Sequence, residues 1–334
     1  MNYTFFIGID VSKNTLDFAV SEGKELLLQT TICNELSGIR EFWNQLKSIK
    51  AFRLEKTIFC LEHTGVYSQH ILSFLYGKKA NISMEASVHI KLSGGLQRGK
   101  NDRIDAVRIA EYACKNKETL KLWHPKREVI QQLKHLSALR SRLINARKQL
   151  AVAIKEIVPF EKAAAGEMKK LCKLSLKALD ADINQVAEKL DSVIQSDPEL
   201  QRLFKVVTSV DGIGKVTATE MIITTNEFKD ISEPSKFACY SGVAPFEHSS
   251  GTSLRGRPRV SHKANKTMKS LLHMAALTAI IYNTDLKAYY QRKVEERKSK
   301  MSVINAVRNK LIWRVFACVR NNKLYQKNCE ITLA

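Results

Sequence analysis

Glycine and proline are scarce in this chain of 334 residues. It has 14 glycines and 6 prolines, about half of the share that these two residues have in ordinary globular proteins. Because both residues punctuate helices and mark turns, their scarcity predicts few turns and long helices. A hydrophobic content of 44% excludes a wholly disordered chain.

Other absences narrow the class of protein. No apolar run approaches the roughly 20 residues that cross a bilayer. The start, MNYTFFIGIDVSK, has no basic region or small-residue cleavage site, so we expect no secretion. The seven cysteines contain no CxxC pair, which argues against zinc ribbons and a disulfide framework. A protein of the reducing cytoplasm fits these features.

Acidic residues are too few to balance the basic ones. There are 54 Lys and Arg against 33 Asp and Glu, a net charge of +21. Residues 1–124 hold 17 basic and 13 acidic side chains, net +4, and the remainder holds 37 and 20, net +17. A solvated surface that serves only solubility is the plainer interpretation. At this charge we rank it below binding to a nucleic acid.

The first third of the sequence predicts a mixed α/β domain. Apolar, β-rich runs predict strands at 3–10, 16–20, 26–33, 57–62 and 82–86. Helical spacing predicts helices at 37–48, with Ser37 as N-cap, and at 67–76. The resulting order, β-β-β-α-β-α-β, is that of a ribonuclease H-like domain, a mixed sheet with helices packed on it.

The rest of the sequence is predicted to be helical. Asn101 is a good N-cap for a helix over 102–116, and Pro125 marks a boundary. Apolar residues recur every three or four positions over 129–157 and again over 168–194, which predicts an antiparallel hairpin and allows a coiled coil. Asp197 and Pro198 begin the next helix. Further helices are predicted at 216–223, 235–240, 263–282, 286–298 and 303–321.

The segment Val210-Asp211-Gly212-Ile213-Gly214-Lys215 lies between two predicted helices. This pattern is typical of a helix-hairpin-helix motif, in which free backbone N–H groups at a helix start hold a phosphate. Gly212, Gly214 and Lys215 are then candidate nucleic-acid ligands. An ordinary tight turn between two helices explains the pattern about equally well.

Four carboxylates stand out by position. Asp10 ends the first strand, Glu62 ends the fourth, and Asp102 and Asp105 occupy one face in the first turn of a helix. In a ribonuclease H-like sheet these positions converge, and their repulsion favours bound cations. Oxygen ligands select Mg²⁺ or Mn²⁺, and two such ions would clamp a phosphodiester. Each carboxylate alone is more simply structural, for example at a helix N-terminus.

A second constellation covers residues 247–259 and the start of the following helix. From Ser249 to Lys269 the sequence has no acidic residue. Its six basic residues are Arg255, Arg257, Arg259, Lys263, Lys266 and Lys269. Ser261 is predicted to cap the next helix. Composition alone favours a flexible phosphate-binding loop here, although a serine oxygen among such cations can also act as a nucleophile.

The sequence resembles the DEDD insertion-sequence transposases, which are bridge-RNA-guided recombinases related to the pilin-gene DNA invertase. The resemblance extends over nearly the whole length. It is carried in order by GIDVSK at 8–13, LEHTG at 61–65, KNDRIDA at 100–106, DGIG at 211–214, FACYSGVAP at 237–245 and SSGTSLRG at 249–256.

The resemblance implies three domains: a RuvC-like domain over 1–124, a coiled-coil hairpin over 125–196 and a C-terminal transposase domain over 197–334. It makes Asp10, Glu62, Asp102 and Asp105 the ligands of two Mg²⁺ ions, and it places a nucleophilic serine at Ser250. It also implies double-stranded donor and target DNA, a structured guide RNA, and a dimer or tetramer in which the serine of one protomer works with the carboxylates of another.

Three rival functions remain open from the sequence. A RuvC-like Holliday-junction resolvase would use the same carboxylates with water as the nucleophile. An actin-like ATPase or sugar kinase shares a GIDVS-like first phosphate loop, but we find no second Gly-rich phosphate segment, and +21 is odd for that class. A non-catalytic DNA-binding protein would tolerate the loss of Asp10.

Overall fold

The computed structural model describes residues 2–63, 65–93, 102–250, 254–261 and 263–326. The chain forms two compact units, Met1–Pro125 and Lys126–Ala334. Within the described ranges, no helix is both long and apolar enough to cross a membrane. Asn101, the predicted N-cap, lies outside the described residues.

The first unit contains a five-stranded sheet and four α-helices. Its strands β1 to β5 are Phe5–Val11, Thr15–Glu22, Glu25–Cys33, Thr57–Glu62 and Asn81–Glu85. Its helices α1 to α4 are Leu36–Lys47, Gln69–Gly77, Ser87–Ser93 and Asp102–Lys115. Two 3₁₀ turns are Leu54–Lys56 and Gly65–Ser68.

The strand order in the sheet is β3-β2-β1-β4-β5. The first three strands form an antiparallel meander, whereas β4 runs parallel to β1 and β5 runs parallel to β4. The predicted order of elements up to β5 and the predicted meander are confirmed. The mixed sheet therefore has the ribonuclease H-like arrangement expected from the sequence.

Two local predictions in this unit were wrong, and one short helix was not predicted. Ser37 does not cap α1, because the helix already begins at Leu36 and its N-cap is Glu35. The helix predicted from residue 67 is preceded by the 3₁₀ turn at Gly65–Ser68, so α2 begins only at Gln69. The short helix α3 was not predicted, since its seven residues are too few to show a clear apolar period.

Alternate residues of β1 pack on opposite faces of the sheet. Ile7 and Ile9 face the larger core with Phe42 of α1, whereas Phe6 faces α4 and packs near Ile109. Because side chains alternate along a strand, Gly8 and Asp10 lie on the same face as Phe6. The face that carries Asp10 is therefore the one that α4 covers.

The second unit is mainly helical. Its helices α5 to α10 are Glu128–Ile157, Lys162–Leu171, Lys173–Ser196, Pro198–Thr208, Lys215–Thr225 and Pro234–Tyr240. Strands β6, Phe246–Ser250, and β7, Leu254–Arg259, form a two-stranded antiparallel sheet. Helices α11 to α13 are Lys266–Tyr282, Thr284–Glu295 and Lys300–Asn321.

Helices α5 and α7 form an antiparallel hairpin. Leu133 near the start of α5 shares a core with Leu190 near the end of α7. Farther out, Arg147 pairs with Asp180 at 2.5 Å. The continuous helix predicted over 168–194 was wrong, because the chain breaks at Cys172 between α6 and α7.

Two further predictions in this unit need correction. The segment 247–259 was predicted as a flexible loop, but its described residues, 247–250 and 254–259, lie in the antiparallel strands β6 and β7. Helix α11 begins at Lys266, and its N-cap is Asn265, whose side chain accepts a hydrogen bond from the Met268 amide at 2.9 Å. Ser261 instead accepts one from the Lys263 amide at 3.1 Å, three residues before the helix.

Candidate active site

Four carboxylates form a row across one face of the five-stranded sheet. Asp17 of β2 pairs with Asp10 of β1, and Glu62 of β4 pairs with Glu85 of β5. The register of β1 with β4, which ends at Ile9 and Leu61, brings Asp10 beside Glu62. The four acidic residues therefore lie on the consecutive strands β2, β1, β4 and β5. Neighbouring strands in a sheet are about 4.8 Å apart.

Helix α4 reaches this row because Gly8 has no side chain. A Cβ built on Gly8 would lie 2.0 Å from the Ala106 carbonyl oxygen and 2.4 Å from the Ala110 nitrogen. Asp10 is two residues beyond Gly8 on the same face of β1. The first turn of α4, which begins at Asp102, precedes Ala106 by one turn. The close contact at Gly8 thus sets the start of α4 near the carboxylate row.

Hydrogen bonds orient the outer members of the row. Asp17 is buried and accepts a hydrogen bond from the Thr31 hydroxyl at 2.5 Å. The side chain of Glu85 accepts hydrogen bonds from the Ser83 hydroxyl at 3.1 Å and from the Tyr112 hydroxyl at 3.3 Å. Hydroxyl groups on the sheet and on α4 therefore hold these two carboxylates, and Glu85 also lies 3.6 Å from Nδ1 of His89 on α3.

The inner members have different partners. Asp10 Oδ1 accepts a hydrogen bond from the Val11 amide at 3.1 Å. Glu62 Oε1 accepts one from the hydroxyl of Ser87, the first residue of α3. Asp105 pairs with Arg108 one turn along α4, at 2.7 Å. Asp102 begins α4, and its side chain lies outside the described part of the structure.

The negative charge of the row acts on neighbouring groups. Burial and the adjacent Glu85 carboxylate raise the pKa of Tyr112 to about 12. Burial and the same carboxylate also raise the pKa of the Cys60 thiol, well above its usual range. Both shifts have the sign that a negative field gives, since it disfavours ionisation to a phenolate or thiolate. The Glu85 carboxylate therefore adds to the effect of burial on both groups.

The donor set fits a hard divalent metal ion. Carboxylate oxygens are the ligands that Mg²⁺ and Mn²⁺ prefer, and Asp10 and Glu62 supply them side by side. Among the residues with described side chains, no three His, Cys, Asp or Glu stand close enough to hold a metal. Asp105 is engaged by Arg108. Of the four ligands predicted from the sequence, Asp10 and Glu62 are the two that the strand register places side by side.

The second unit carries the candidate serine on the β6–β7 hairpin. Ser250 is the last residue of β6 and its backbone pairs with Leu254, while Ser249 pairs with Arg255. Arg257 and Arg259 follow on β7. The hairpin thus joins the serines and the three arginines in one backbone element, which the sequence did not predict.

The turn between α8 and α9 contains the predicted glycine motif. Gly212 has φ +92°, and a Cβ there would meet the Ala275 carbonyl oxygen of α11 at 2.5 Å. Gly214 is the N-cap of α9, and Lys215 pairs with Asp191 of α7 at 2.7 Å. The packing of Gly212 on α11 is a structural reason for this glycine.

Two family models match successive parts of the chain. The model of the IS110 DEDD transposases, described as a transposase, matches residues 7–160. A second model, described as the transposase IS116/IS110/IS902 family, matches residues 204–291. The chain belongs to the IS110-type DEDD transposases. It is accordingly an enzyme that cuts and rejoins DNA.

The chain is also similar to individual proteins. The pilin gene-inverting protein of Moraxella bovis is 26% identical over 328 residues, which cover 96% of this chain and 98% of the relative. A probable family 20 transposase of Pseudomonas aeruginosa is 22% identical, over 65% of this chain and 72% of the relative. A solved structure of T. thermophilus RuvC with a Holliday junction substrate matches 36% of this chain and 100% of that chain, at 14% identity and a TM-score of 0.27.

The structure of this transposase adds three residues that the sequence analysis missed. Asp17 and Glu85 extend the carboxylate row, and Ser87 donates a hydrogen bond to Glu62. Strand alternation could have placed Asp17 on the face of Asp10, because the short turn of the meander fixes their register. No local signal marks Glu85 or Ser87, whose positions depend on the parallel pairing of β4 with β5.

Proposed function

We propose that this transposase of an insertion sequence cleaves DNA at the carboxylate row and rejoins it through a phosphoserine on Ser250. The observation that carries the proposal is the placement of Asp10 beside Glu62, on the face that α4 covers. Two carboxylates on adjacent strands, with two more in the first turn of α4, are a fitting donor set for phosphodiester chemistry.

The proposed metal ligands are Asp10, Glu62, Asp102 and Asp105, which would hold two Mg²⁺ ions, with Mn²⁺ as a substitute. Bound there, the ions would supply positive charge to the phosphate oxygens. The chain's own contribution is orientation. Ser87 fixes one oxygen of Glu62, and the fit of Gly8 against Ala106 sets where α4 begins.

Ser250 is proposed to act as the nucleophile. Its oxygen forms a bond to phosphorus while the bond from phosphorus to a deoxyribose oxygen breaks. The serine proton passes to solvent, and the released deoxyribose oxygen takes up a proton. Attack by a deoxyribose hydroxyl on the phosphoserine then restores the DNA linkage and the free serine. Each step exchanges one ester bond at phosphorus for another, so rejoining needs no external energy source.

Basic residues of the second unit are proposed to hold the nucleic acids. Gly212, Gly214 and Lys215 would contact phosphates at the start of α9, where free N–H groups and the helix dipole favour anions. The other proposed phosphate ligands are Arg255, Arg257, Arg259, Lys263 and Lys266. Net charge supports this assignment, because residues 125–334 hold 37 basic and 20 acidic side chains.

The proposed partners are double-stranded donor and target DNA and a structured guide RNA. Base pairing with that RNA would select the DNA, as in other RNA-guided systems. The protein would act as a dimer or tetramer at the nucleoid, with each active site shared between protomers. Sequencing the nucleic acid that co-purifies with the expressed protein tests the RNA, since one defined noncoding RNA is the expected result.

Substitution of Asp10 and Glu62 tests the proposed cleavage site. Asp10→Asn and Glu62→Gln should abolish Mg²⁺-dependent cleavage and leave DNA binding intact, because each removes a ligand charge with little change in shape. Glu41→Gln on the exposed surface of α1 is the matched control and should cleave normally. Full cleavage by both row variants would refute the proposed site.

A further inference from the structure

A groove in the second unit holds a buried arginine that has no carboxylate partner among the residues that the structure describes. The groove has a volume of about 1080 Å³ and lies between the segment 242–245, Val260, the first turns of α11 and the start of α13. Its charged lining residues within the described chain are Lys269 and Arg308, and no acidic side chain lines it. The remaining polar lining side chains are those of Ser302, Asn305 and Asn309.

Arg308 is the unusual member of this lining. Its side chain is only 6% exposed, and its neighbours are the neutral groups Asn305 Oδ1, at 3.4 Å from Nη1, and His273 Nδ1, at 2.5 Å from Nη2. Its Nε is buried and has no hydrogen-bond acceptor. No ion pair involves Arg308 among the residues that the structure describes.

Burial of Arg308 affects its own pKa and that of its neighbour His273. Burial lowers the pKa of Arg308 below its usual value. Burial and the charge of Arg308 also lower the pKa of His273, which favours the neutral ring that accepts a hydrogen bond. A buried cation with unused N–H donors costs free energy unless an anion completes its hydrogen bonds.

We propose that this groove binds a backbone phosphate of the DNA next to the site of strand exchange. Guanidinium N–H groups match phosphate oxygens in a forked geometry, and Lys269 adds a second cation at the same groove. The inference rests on the proposed function in taking DNA as the ligand.

The groove adjoins the hairpin that bears Ser250. Pro245 and Val260, which line it, directly precede β6 and directly follow β7. The five residues of β6 extend about 17 Å at the usual rise per residue. A phosphate held by Arg308 would therefore anchor the DNA strand at one end of β6, while Ser250 lies at the other end of β6.

Salt dependence of DNA binding tests the groove. Binding of a fluorescently labelled random-sequence duplex is measured against salt concentration in EDTA, where no cleavage occurs. Arg308→Gln should weaken binding about tenfold or more, as removal of a charge-assisted hydrogen bond does. The log–log slope should also fall by about 0.9, the value for one duplex phosphate. Asn309→Asp, at the exposed rim, should weaken binding by repulsion without removing core packing.

The control is Arg320→Gln, which removes one exposed charge from the last turn of the same helix. An equal loss of affinity in Arg320→Gln, or no loss in the folded Arg308→Gln and Asn309→Asp proteins, would refute the phosphate site. The same titration is repeated with a labelled single-stranded RNA, and a loss of affinity in Arg308→Gln confined to that RNA would refute DNA as the ligand. Because the assay measures binding alone, its outcome is separate from whether Ser250 and the carboxylates cut DNA.

Discussion

Gly8 of β1 and Ala106 of α4 meet backbone to backbone on the face of the sheet that carries Asp10. The Ala106 carbonyl oxygen lies 2.0 Å from where a Cβ of residue 8 would stand. Helix α4 can approach the strand this closely only because residue 8 is glycine. The close approach links the packing of the first unit to the candidate chemistry, since the same helix begins with Asp102 and carries Asp105.

Gly8→Ala should therefore displace α4. Overpacking usually costs about 1–3 kcal/mol, and we expect the upper end because the obstructing atoms belong to the backbone. Hydrogen exchange of the peptide Asp102–Lys115, measured by mass spectrometry, should become faster, and Mg²⁺-dependent cleavage should fall. Gly77→Ala is the matched control, since nothing lies within 4 Å of its Cβ position. Unchanged exchange in Gly8→Ala would contradict the close approach of α4 to β1.

A comparison of substitutions at Gly212 and Gly214 separates the effect of packing from the effect of helix capping. Gly212→Ala should destabilise the second unit by about 2–3 kcal/mol, because φ is +92° and the new Cβ would meet α11. Gly214→Ala should cost no more than about 1 kcal/mol, since only the N-cap preference changes. Urea denaturation with hydrogen exchange of α11 measures both. Equal effects of the two variants would show that Gly212 does not carry this packing.

The arginines of β7 should contribute to the salt dependence of nucleic-acid binding. Replacing Arg255, Arg257 and Arg259 together by Gln should reduce the log–log slope by up to about 2.7, or about 0.9 for each arginine that neutralises a duplex phosphate. The control removes three exposed cations from the first unit: Arg40, Lys50 and Lys56. If the control lowers the slope as much as the β7 variant, net charge explains the effect. An unchanged slope in the β7 variant would place the nucleic-acid interface elsewhere, for example on the α5–α7 hairpin.

The sheet and most helices were predictable because their signals are local. The apolar run that ends at Asp10 and the one that ends at Glu62 are short, β-rich and sharply bounded, and they became β1 and β4. The three- to four-residue apolar period similarly predicted α5. Placing Asp10 beside Glu62 needed only the ribonuclease H-like order of elements, which follows from these runs.

What could not be predicted depends on interactions between distant residues. The pairing of Glu62 with Glu85 is fixed by the register of two parallel strands, which no adjacent residue specifies. The β6–β7 hairpin was missed because its serines, glycines and Pro258 are poor strand formers. Arg308 looks like any helical arginine in the sequence, and only its burial against His273 distinguishes it.

The most direct test of the account is a search for a covalent link between the protein and DNA. A Mg²⁺-dependent reaction on a suicide DNA substrate, run on a denaturing gel, should show a DNA-linked protein band. Mass spectrometry should place the adduct on Ser250. Ser250→Ala should abolish the band, whereas Ser249→Ala, its neighbour on β6, should leave most of it. Efficient cleavage by Ser250→Ala without any adduct would contradict the serine mechanism and leave water as the nucleophile.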